Sequence, residues 1–543
     1  MQANMSNLAR QRSAVLKDFS GGLNNFWDQS VIADNELPFL ENLEFTPRGA
    51  LTSRPPIWED TGQSLPEDDV HFDLLGYFIE EDGDRFGIYT SATKTYTYDL
   101  AGTWVEIWDH KAADFVQFQG YAIMCRIDGA GAYWGPDGAQ TWNGSAWVTG
   151  SATETIATLP AAATLELHQE RLFASGPRGT ATQSTMYWSN VTGEVSGEPE
   201  KDWRYWDVAT SFAAVNSGDG QWITGLVAGY NDLTVFRNDS TYRYSFSSLP
   251  EQGNMAKIVE GIGAENQKCI VRYENAIIVL SADQAYTYYN GVFTSLNDQK
   301  VRFEGKAAAS TFVVPYALSV VGARLVVHYA GSVYVLQLKT GTWSTWSTDT
   351  GFAYARVVPS PSDVIDKALE GWAISNSAAG GANKIYRVCD HVHDDDGPET
   401  MVCSVRTKIY DFDTPNEWKR LYWWAAEVSA VGTVTAKIFP VSLETTTQST
   451  WDWMSTFTWD ELLPPVDGWD NAAPFPFNVT TNTTFTWNRP ERINLKLDNG
   501  MRFRRVYFEL YINTDGTAST APAQIFSITP MIGMKAQISE RVS

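Results

Sequence analysis

The chain has 543 residues, of which 43% are hydrophobic and 19% charged, and its formal net charge is -24 at pH 7. That length is too great for one ordinary core, and the composition excludes fibrous and disordered chains. Acidic residues repel phosphate groups, so the charge argues against a protein whose main task is to grip nucleic acid. It does not argue against nucleic acid sliding past.

The chain shows no targeting or membrane signal. Its opening, MQANMSNLARQRSAVLKDFS, has no apolar stretch of the kind that signal peptides carry. No run of about 18 apolar residues occurs, so we expect no membrane span. The four cysteines are scattered, which favours reduced thiols and a protein made in the cytoplasm.

Residues 1–73 show neither a helical nor a strand period. They are rich in turn signals and aromatic residues, as in DFSGGLNNFWDQSVIADNELPFLENLEF. Segments of this kind become ordered against other surfaces. We therefore predict an irregular N-terminal docking segment over 1–73 that packs on a C-terminal platform.

A loose repeat runs through residues 74–399, which we predict to be a β-propeller of six to eight blades. In each copy an apolar strand precedes a turn, a strand rich in tyrosine, a glycine turn and often a tryptophan, as in RLVVHYAGSVYVLQLKTGTWSTW. The apolar strands recur every 45–47 residues, which suits blades of four antiparallel strands whose faces are covered by radial stacking. They are centred on Val235, Leu280, Val327 and Ile374.

Two further features of this region bear on function. Tyrosines two positions apart lie on one face of a strand, and they favour packing between blades over a binding stripe. The insertion near 190–220 breaks the period and is predicted to be a surface loop. The tyrosine pairs are Tyr96 and Tyr98, Tyr242 and Tyr244, and Tyr286 and Tyr288.

Residues 400–543 alternate apolar and polar positions at strand spacing, with hairpin turns at DNG and NTDG. We predict a β-sandwich platform here. It is interrupted at about 443–490 by a long aromatic insertion, which is too long for an ordinary connection and is expected to be functional or interfacial.

The stretch CDHVHDDDGPETMVC, at 389–403, is the densest cluster of reactive side chains. Zinc accepts cysteine and histidine, and calcium accepts aspartate, but the spacing fits neither a zinc finger nor an EF-hand. We favour an acidic turn and predict neither a metal nor another cofactor. The candidate ligands would be His391, His393, Asp394 and Asp396.

Catalytic motifs are absent from the sequence. GPDGAQTW, at 135–142, nearly matches the Asp-box turn of sialidase-like propellers, but that turn locks a hairpin and does not catalyse. Glycoside hydrolysis needs two carboxylates at matched positions, and no pair stands out among 64 acidic residues. There is no GxSxG, P-loop or HExxH motif, so we predict that the chain is not an enzyme.

The N-terminal segment resembles the tail tubular, or nozzle, proteins of short-tailed bacteriophages. In that family a segment of the form F-x-G-G-L-N, then N-E-x-P, then G-A-L-x-x-R-P precedes a propeller. The closing strands RFRRVYFELYI and IFSITPMIGMK are also similar to that family. The matching residues are Gly21, Gly22, Leu23, Asn24, Asn35, Glu36, Pro38, Gly49, Ala50, Leu51, Arg54 and Pro55.

The resemblance implies a structural virion protein at the distal end of a short phage tail. It implies a homo-oligomer, expected to be a hexameric ring, that contacts an adaptor or gatekeeper ring and tail fibres or spikes. Double-stranded DNA would pass through its channel without specific binding. The predicted assembly contacts are Phe26, Trp27 and Arg54, together with Arg502 and Arg504, which we expect to meet carboxylates of a neighbouring subunit.

Two other functions remain open at this point. One is a propeller-fold glycan hydrolase of the sialidase-like type. The other is a carbohydrate-binding tail protein that recognises a receptor through the tryptophans of residues 451–487.

Overall fold

The structure is a computed structural model that describes most of the chain between residues 11 and 534. For several strands, among them those between 353 and 389, it describes the backbone alone. The residues it leaves out within that range are 14–15, 47–48, 56, 60–65, 67–72, 81–84, 100–102, 136–139, 143–146, 150–151, 192–201, 217, 230, 248, 306–315, 348–352, 360–367, 376–383, 390–401, 413–418, 430–431, 442–476, 482–490, 504 and 514–522.

The N-terminal segment contains seven strands of two or three residues. They are β1 (Gln11–Ser13), β2 (Gly22–Leu23), β3 (Glu36–Leu37), β4 (Phe39–Glu41), β5 (Leu43–Phe45), β6 (Leu51–Ser53) and β7 (Ile57–Glu59).

The strands that follow form seven groups of four paired strands. Six groups are separate four-stranded sheets, and the sixth group in chain order belongs to a sheet of nine strands. The first sheet is β8 (Asp73–Ile79), β9 (Arg85–Thr90), β10 (Thr95–Asp99) and β11 (Trp104–Trp108). The second is β12 (Asp114–Phe118), β13 (Tyr121–Arg126), β14 (Gly129–Gly135) and β17 (Ala152–Ile156), with the hairpin β15 (Gln140–Trp142) and β16 (Trp147–Thr149) inserted. The third is β18 (Thr164–His168), β19 (Arg171–Ser175), β20 (Thr185–Trp188) and β21 (Phe212–Ala214).

The fourth sheet is β22 (Ile223–Ala228), β23 (Asp232–Arg237), β24 (Ser240–Ser245) and β25 (Asn254–Glu260), and the fifth is β26 (Ile270–Tyr273), β27 (Ala276–Ser281), β28 (Gln284–Tyr289) and β29 (Val292–Ser295). The sixth is β30 (Tyr316–Val321), β31 (Arg324–Tyr329), β32 (Ser332–Gln337) and β33 (Thr342–Trp346). The seventh takes β34 (Ala353–Pro359), β35 (Ala368–Ser375) and β36 (Lys384–Cys389) and is completed by β7.

These seven groups are the blades of a β-propeller. The inner strands β8, β12, β18, β22, β26, β30 and β34 contact one another in that order, and β34 contacts β8, so the ring is closed. The predicted propeller is therefore confirmed, with seven blades. The seventh blade is completed by β7, which pairs with β36 although more than 300 residues separate them.

The cores between blades are built from the predicted apolar strands. Val235, Leu280 and Val327 are buried in the second strands of their blades. The tyrosine pairs of β10 and β24 are buried as well, and Tyr98 lies 4.6 Å, centroid to centroid, from the ring of Trp104. The pair of β24 packs against blade three, which agrees with the prediction of packing between blades, whereas the pair of β10 packs within blade one.

Seven strands follow the propeller. They are β37 (Val402–Arg406), β38 (Lys419–Ser429), β39 (Gly432–Val441), β40 (Phe477–Thr481), β41 (Glu491–Phe503), β42 (Arg505–Asn513) and β43 (Gln524–Met534). One sheet has the order β41-β38-β43-β6-β5, with β1 also on β43, and a second continues blade six in the order β33-β4-β37-β42-β39-β40.

The two sheets contribute buried residues to one apolar cluster, with Phe45 and Ile528 from the first and Phe508 and Leu510 from the second. The predicted C-terminal sandwich stays a prediction, because most side chains of β39, β40 and β41 are outside the described set. The aromatic insertion at 443–490 lies almost wholly outside it.

Most N-terminal strands pair with partners far away in the sequence. Strand β4 joins β33 to β37, and β6 pairs with β43. Each strand is too short to show a period of its own, which is why this segment has no local pattern.

Candidate functional site

The N-terminal segment, the sixth blade and β37 meet at one place, which we call the joint. It comprises residues 19–46 and 49–55 and the parts of the chain that they contact at 297–303, 324–337, 342–347 and 402–410. Its centre is Asn42, which is 1% exposed and has a φ of 57°. Its side-chain Nδ2 donates to the backbone oxygen of Val402 at 2.8 Å, and its Oδ1 accepts from the backbone nitrogen of Ser347 at 2.8 Å. One amide therefore links three parts of the chain.

Arg54 lies beside Asn42 and is fully buried. Its Nε donates to Asn42 Oδ1 at 2.8 Å, and its two terminal nitrogens donate to the backbone oxygens of Pro55 at 2.8 Å and Ser347 at 3.0 Å. A buried guanidinium is costly unless it is hydrogen-bonded, and here the chain itself supplies the acceptors. The structure corrects the prediction that Arg54 contacts another subunit, because this side chain holds its own chain together.

Two acidic side chains of the segment are also used within the chain. Glu44 is 2% exposed, and both of its carboxylate oxygens accept from Arg324 Nε in blade six, at 2.7 and 3.0 Å. Glu36 accepts from Asn24 Nδ2 at 2.9 Å and lies 3.6 Å from the ammonium of Lys300. These contacts attach the segment to blade six and to the loop before it.

Gly22 permits the closest approach in the joint. Its φ is +76°, which disfavours any side chain, and a Cβ there would lie 3.2 Å from the backbone nitrogen of Trp343. Trp343 is itself buried, and its Nε1 donates to the backbone oxygen of Leu296 at 3.2 Å.

Phe26 and Trp27 lie on the surface beside the joint, with 47% and 49% of each residue exposed. Their rings form an edge-to-face pair with centroids 5.2 Å apart. Asn24 Oδ1 accepts from both of their backbone nitrogens, at 3.3 and 3.4 Å, which fixes the turn that presents the pair. Val31, five residues after Phe26, is 67% exposed. The predicted role of Phe26 and Trp27 as assembly contacts stays a prediction.

Other predicted residues fall partly or wholly outside the described set. Arg502 lies in β41, where its backbone pairs with Arg420 of β38, but its side chain is not described. Arg504 and the candidate metal ligands His391, His393, Asp394 and Asp396 lie outside the described residues, as do residues 136–139 of the Asp-box turn. Within the described part of the chain, no group of three or more His, Cys, Asp or Glu side chains could hold a metal ion.

Polar side chains join different blades of the propeller. Lys268, just before the fifth blade, forms an ion pair with Asp73 of the first blade. Gln117 bonds to the backbone of Ile79 through both ends of its amide, at 2.5 and 3.0 Å, which ties blade two to blade one. Polar contacts of the inner strands therefore help to hold the blades together.

Glu166, on the inner strand of blade three, has an unusual titration. Burial raises its pKa to about 8, and the charge of Asp114 acts in the same direction. The backbone amide of Ala228 and the charge of Arg272 lower the pKa, but by less. Glu166 is therefore mostly protonated at neutral pH.

Two of the cavities in the described part of the chain lie between blades. One, of about 380 Å³, lies where inner strands of five blades begin, and Arg178 stacks over Trp222 in its wall with 4.0 Å from the guanidinium carbon to the ring centroid. The other, of about 540 Å³, lies between blades four and five and is lined by Arg243, Arg272 and Tyr289 among others.

The insertion near 190–220 is more than the predicted surface loop. Trp203 and Trp206 are each 2% exposed and pack against Tyr133 and neighbouring residues of blade two. Strand β21, from the same insertion, completes blade three. The spacing of these two tryptophans, in DWRYWD, was the signal that could have shown a buried return of the chain.

No family model and no curated protein matches the chain. Among solved structures, it is similar to a streptogramin B lyase at 10% identity, with a TM-score of 0.39 over 61% of this chain and 96% of that chain. It is also similar to the β-propeller domain of Cps50 (Swd1) from Myceliophteria thermophila, at 12% identity and a TM-score of 0.39 over 61% of this chain and 100% of that chain. Virginiamycin B lyase from Staphylococcus aureus gives 11% identity and a TM-score of 0.36 over 61% and 98%.

At these identities the similarities concern the fold class alone. Function has to be argued from the residues of this chain. The part of the chain that the structure describes contains no helix with the length and apolar character of a membrane span.

Proposed function

We propose that this chain is a structural virion protein, one wall segment of the nozzle at the distal end of a short phage tail. Copies of it would form a ring, expected to be a hexamer, around the channel through which the genome leaves. The ring would contact an adaptor or gatekeeper ring and tail fibres or spikes. We propose no catalytic role.

The observation that carries this proposal is the joint. Among the residues that give the N-terminal segment its resemblance to nozzle proteins, Glu36 and Arg54 attach this segment to the rest of the chain through Lys300 and Ser347. Asn24 bonds to Glu36 within the segment. The result links the propeller to the C-terminal sheets through strand pairing and buried hydrogen bonds. A wall segment needs such a connection, because it must keep its shape while DNA moves past it.

Two further features support a channel formed between copies. The net charge of -24 on every copy would repel phosphates and let DNA move without being held. The half-exposed Phe26 and Trp27 offer an apolar contact for a neighbouring copy.

Electron microscopy and mass photometry of the purified full-length chain test the proposal. We expect rings with a central opening, and we expect a Phe26→Ala, Trp27→Ala double variant to lose rings while it keeps the circular dichroism spectrum of the wild type. Phe212→Ala, which truncates an aromatic side chain that is 45% exposed on blade three, is the matched control and should keep them. Monomers alone under every condition, with or without candidate tail partners, would contradict the proposal.

A second candidate function, a glycan hydrolase, is favoured by one observation. The raised pKa of Glu166 next to the charge of Asp114 is the kind of difference that separates a proton donor from an ionised carboxylate. Release of reducing sugar by the purified protein, abolished in Glu166→Gln and retained in Glu265→Gln, would favour this candidate over the nozzle.

A further inference from the structure

The cavity between blades four and five has an unusual charge for this acidic chain. It has a volume of about 540 Å³, within the range of small-molecule sites. Arg243 and Arg272 both line it, and among the described lining residues the only carboxylate is that of Asp232, whose Oδ2 lies 3.8 Å from Arg243 Nε. The cavity therefore holds an excess of one guanidinium.

Arg272 is the cation that remains for a ligand. It is exposed, and its terminal nitrogen Nη1 donates to the backbone oxygen of Ala228 at 3.4 Å. The nearby Glu166 does not neutralise it at neutral pH, because burial raises the pKa of Glu166 to about 8. A guanidinium that no carboxylate neutralises prefers carboxylate or phosphate groups as ligands, which it can bind through two parallel hydrogen bonds.

The uncharged part of the lining suits a ring that carries hydroxyl groups. Asn231, Asn275 and Asn290 add side-chain amides, each of which can donate and accept hydrogen bonds. Tyr289 is 54% exposed and offers a flat aromatic face at the rim.

The local sequence fixes this rim. Tyr289 ends β28, and the next two residues, Asn290 and Gly291, have φ values of 49° and 84°. Two consecutive positive φ angles at Asn-Gly are typical of the tight type I′ turn of a β-hairpin. The turn between β28 and β29 therefore holds Tyr289 and Asn290 in place before any ligand arrives.

We propose that this cavity binds a sugar that carries a carboxylate or a phosphate. Arg272 would hold the anionic group, Tyr289 would pack against the sugar ring, and the asparagine amides would bond its hydroxyl groups. The proposal does not depend on whether copies of the chain form a ring.

Calorimetric titration of the full-length chain with four compounds tests this site. The compounds are glucuronic acid, glucose 6-phosphate, glucose and inorganic phosphate. We expect at least one anionic sugar to bind more tightly than both glucose and inorganic phosphate, and the comparison of the first two compounds tells carboxylate from phosphate recognition.

Three variants assign the binding to the cavity. Arg272→Gln should weaken the anionic sugar by about tenfold or more, as expected when a charge-assisted hydrogen bond is lost. Tyr289→Ala should weaken it by a smaller factor and leave inorganic phosphate unchanged. Lys339→Gln, which removes an equal charge from an exposed turn of blade six, should change nothing. Thermal unfolding of each variant shows whether it is folded.

Several results would overturn the proposal. They are no binding of either anionic sugar, equal binding of glucose, inorganic phosphate binding as tightly as glucose 6-phosphate, or equal effects of Arg272→Gln and Lys339→Gln.

Discussion

Blades five and six have the same plan, but their outermost strands have different surroundings. In blade five, β29 is the last strand of its sheet, and Val292 is 62% exposed. In blade six, β33 continues into β4, and Trp343 and Trp346 are 1% and 2% exposed. The two outermost strands differ because the N-terminal segment covers β33 and does not cover β29. The same repeat can therefore end at solvent or serve as a connection to the next sheet.

The residues at the connection show how it is specified. Strand β29 has the sequence VFTS and β33 the sequence TWSTW, so the covered strand carries the larger apolar side chains. The polar residues Asn42, Glu44 and Arg54 then fix one register, because each is buried and needs defined partners. Apolar area supplies the stability of the connection, and buried polar groups supply its specificity.

The largest expected effect on stability comes from truncating one side chain on each outer strand. Trp343→Ala should lower the free energy of unfolding by about 3–5 kcal/mol, because it leaves a cavity in the joint. Val292→Ala, on the exposed strand, should change it by less than about 0.5 kcal/mol. Urea unfolding followed by circular dichroism measures both, and equal losses would show that the two strands do not differ as described.

The next test removes the buried guanidinium. Arg54→Ala should cost about 2–4 kcal/mol, because the amide of Asn42 and the carbonyls of Pro55 and Ser347 lose charge-assisted partners. Arg302→Gln removes an exposed positive charge nearby and serves as the control. If Arg54→Ala lowered the free energy of unfolding no more than the control does, Arg54 would not stabilise the joint.

A glycine pair separates backbone strain from close contact. Gly22 and Gly261 both have positive φ, +76° and +84°, but only Gly22 has neighbours within 4 Å of an added Cβ. Gly261→Ala should cost about 1 kcal/mol from strain alone. Gly22→Ala should cost about 2 kcal/mol, since the contact with blade six adds to the strain. Thermal unfolding decides between them, and equal costs would mean that the approach to Trp343 is not tight.

The smallest effect concerns pH at the propeller axis, away from the joint. Burial raises the pKa of Glu166 from 4.5 to about 8, so between these values the folded chain binds a proton that the unfolded chain has lost. The stability contributed by Glu166 is therefore complete below about pH 4.5 and is lost as the pH rises through about 8. Glutamine copies the protonated form and removes this dependence.

We accordingly expect Glu166→Gln to match the wild type near pH 4.5 and to exceed it at pH 8. The gain in the free energy of unfolding should be about 1–2 kcal/mol. It is smaller than the value that corresponds to the full pKa shift of Glu166, because the side chain is only partly shielded from water. Unfolding at the two pH values measures it, with Glu265→Gln as an exposed control. A gain that is the same at both values would show that Glu166 does not titrate in this range.

The propeller was predictable because its information is local. Val235, Leu280 and Val327 lie in equivalent strands at nearly constant spacing, and each is buried. Turns such as Asn290-Gly291 mark where one strand ends and the next begins. The number of blades was less accessible, since the seventh blade takes its last strand from residues 57–59.

The joint was not predictable because its partners are distant in sequence. Arg54 was expected to contact another subunit, yet its acceptor Ser347 lies in blade six. Glu44 pairs with Arg324, and nothing in either local sequence marks the other as its partner. Similarly, an isolated glutamate such as Glu166 gives no sign of its pKa, which depends on groups from neighbouring blades.

The seventh blade places a constraint on the order of synthesis. Residues 57–59 leave the ribosome early, but their partner strand β36 at 384–389 is made more than 300 residues later. Until then the circle cannot close, and the early strand has an unpaired edge that other chains could pair with. The N-terminal strand can therefore reach its native position only after the last blade has been synthesised. Slow translation of the residues between the two strands should favour aggregation over folding.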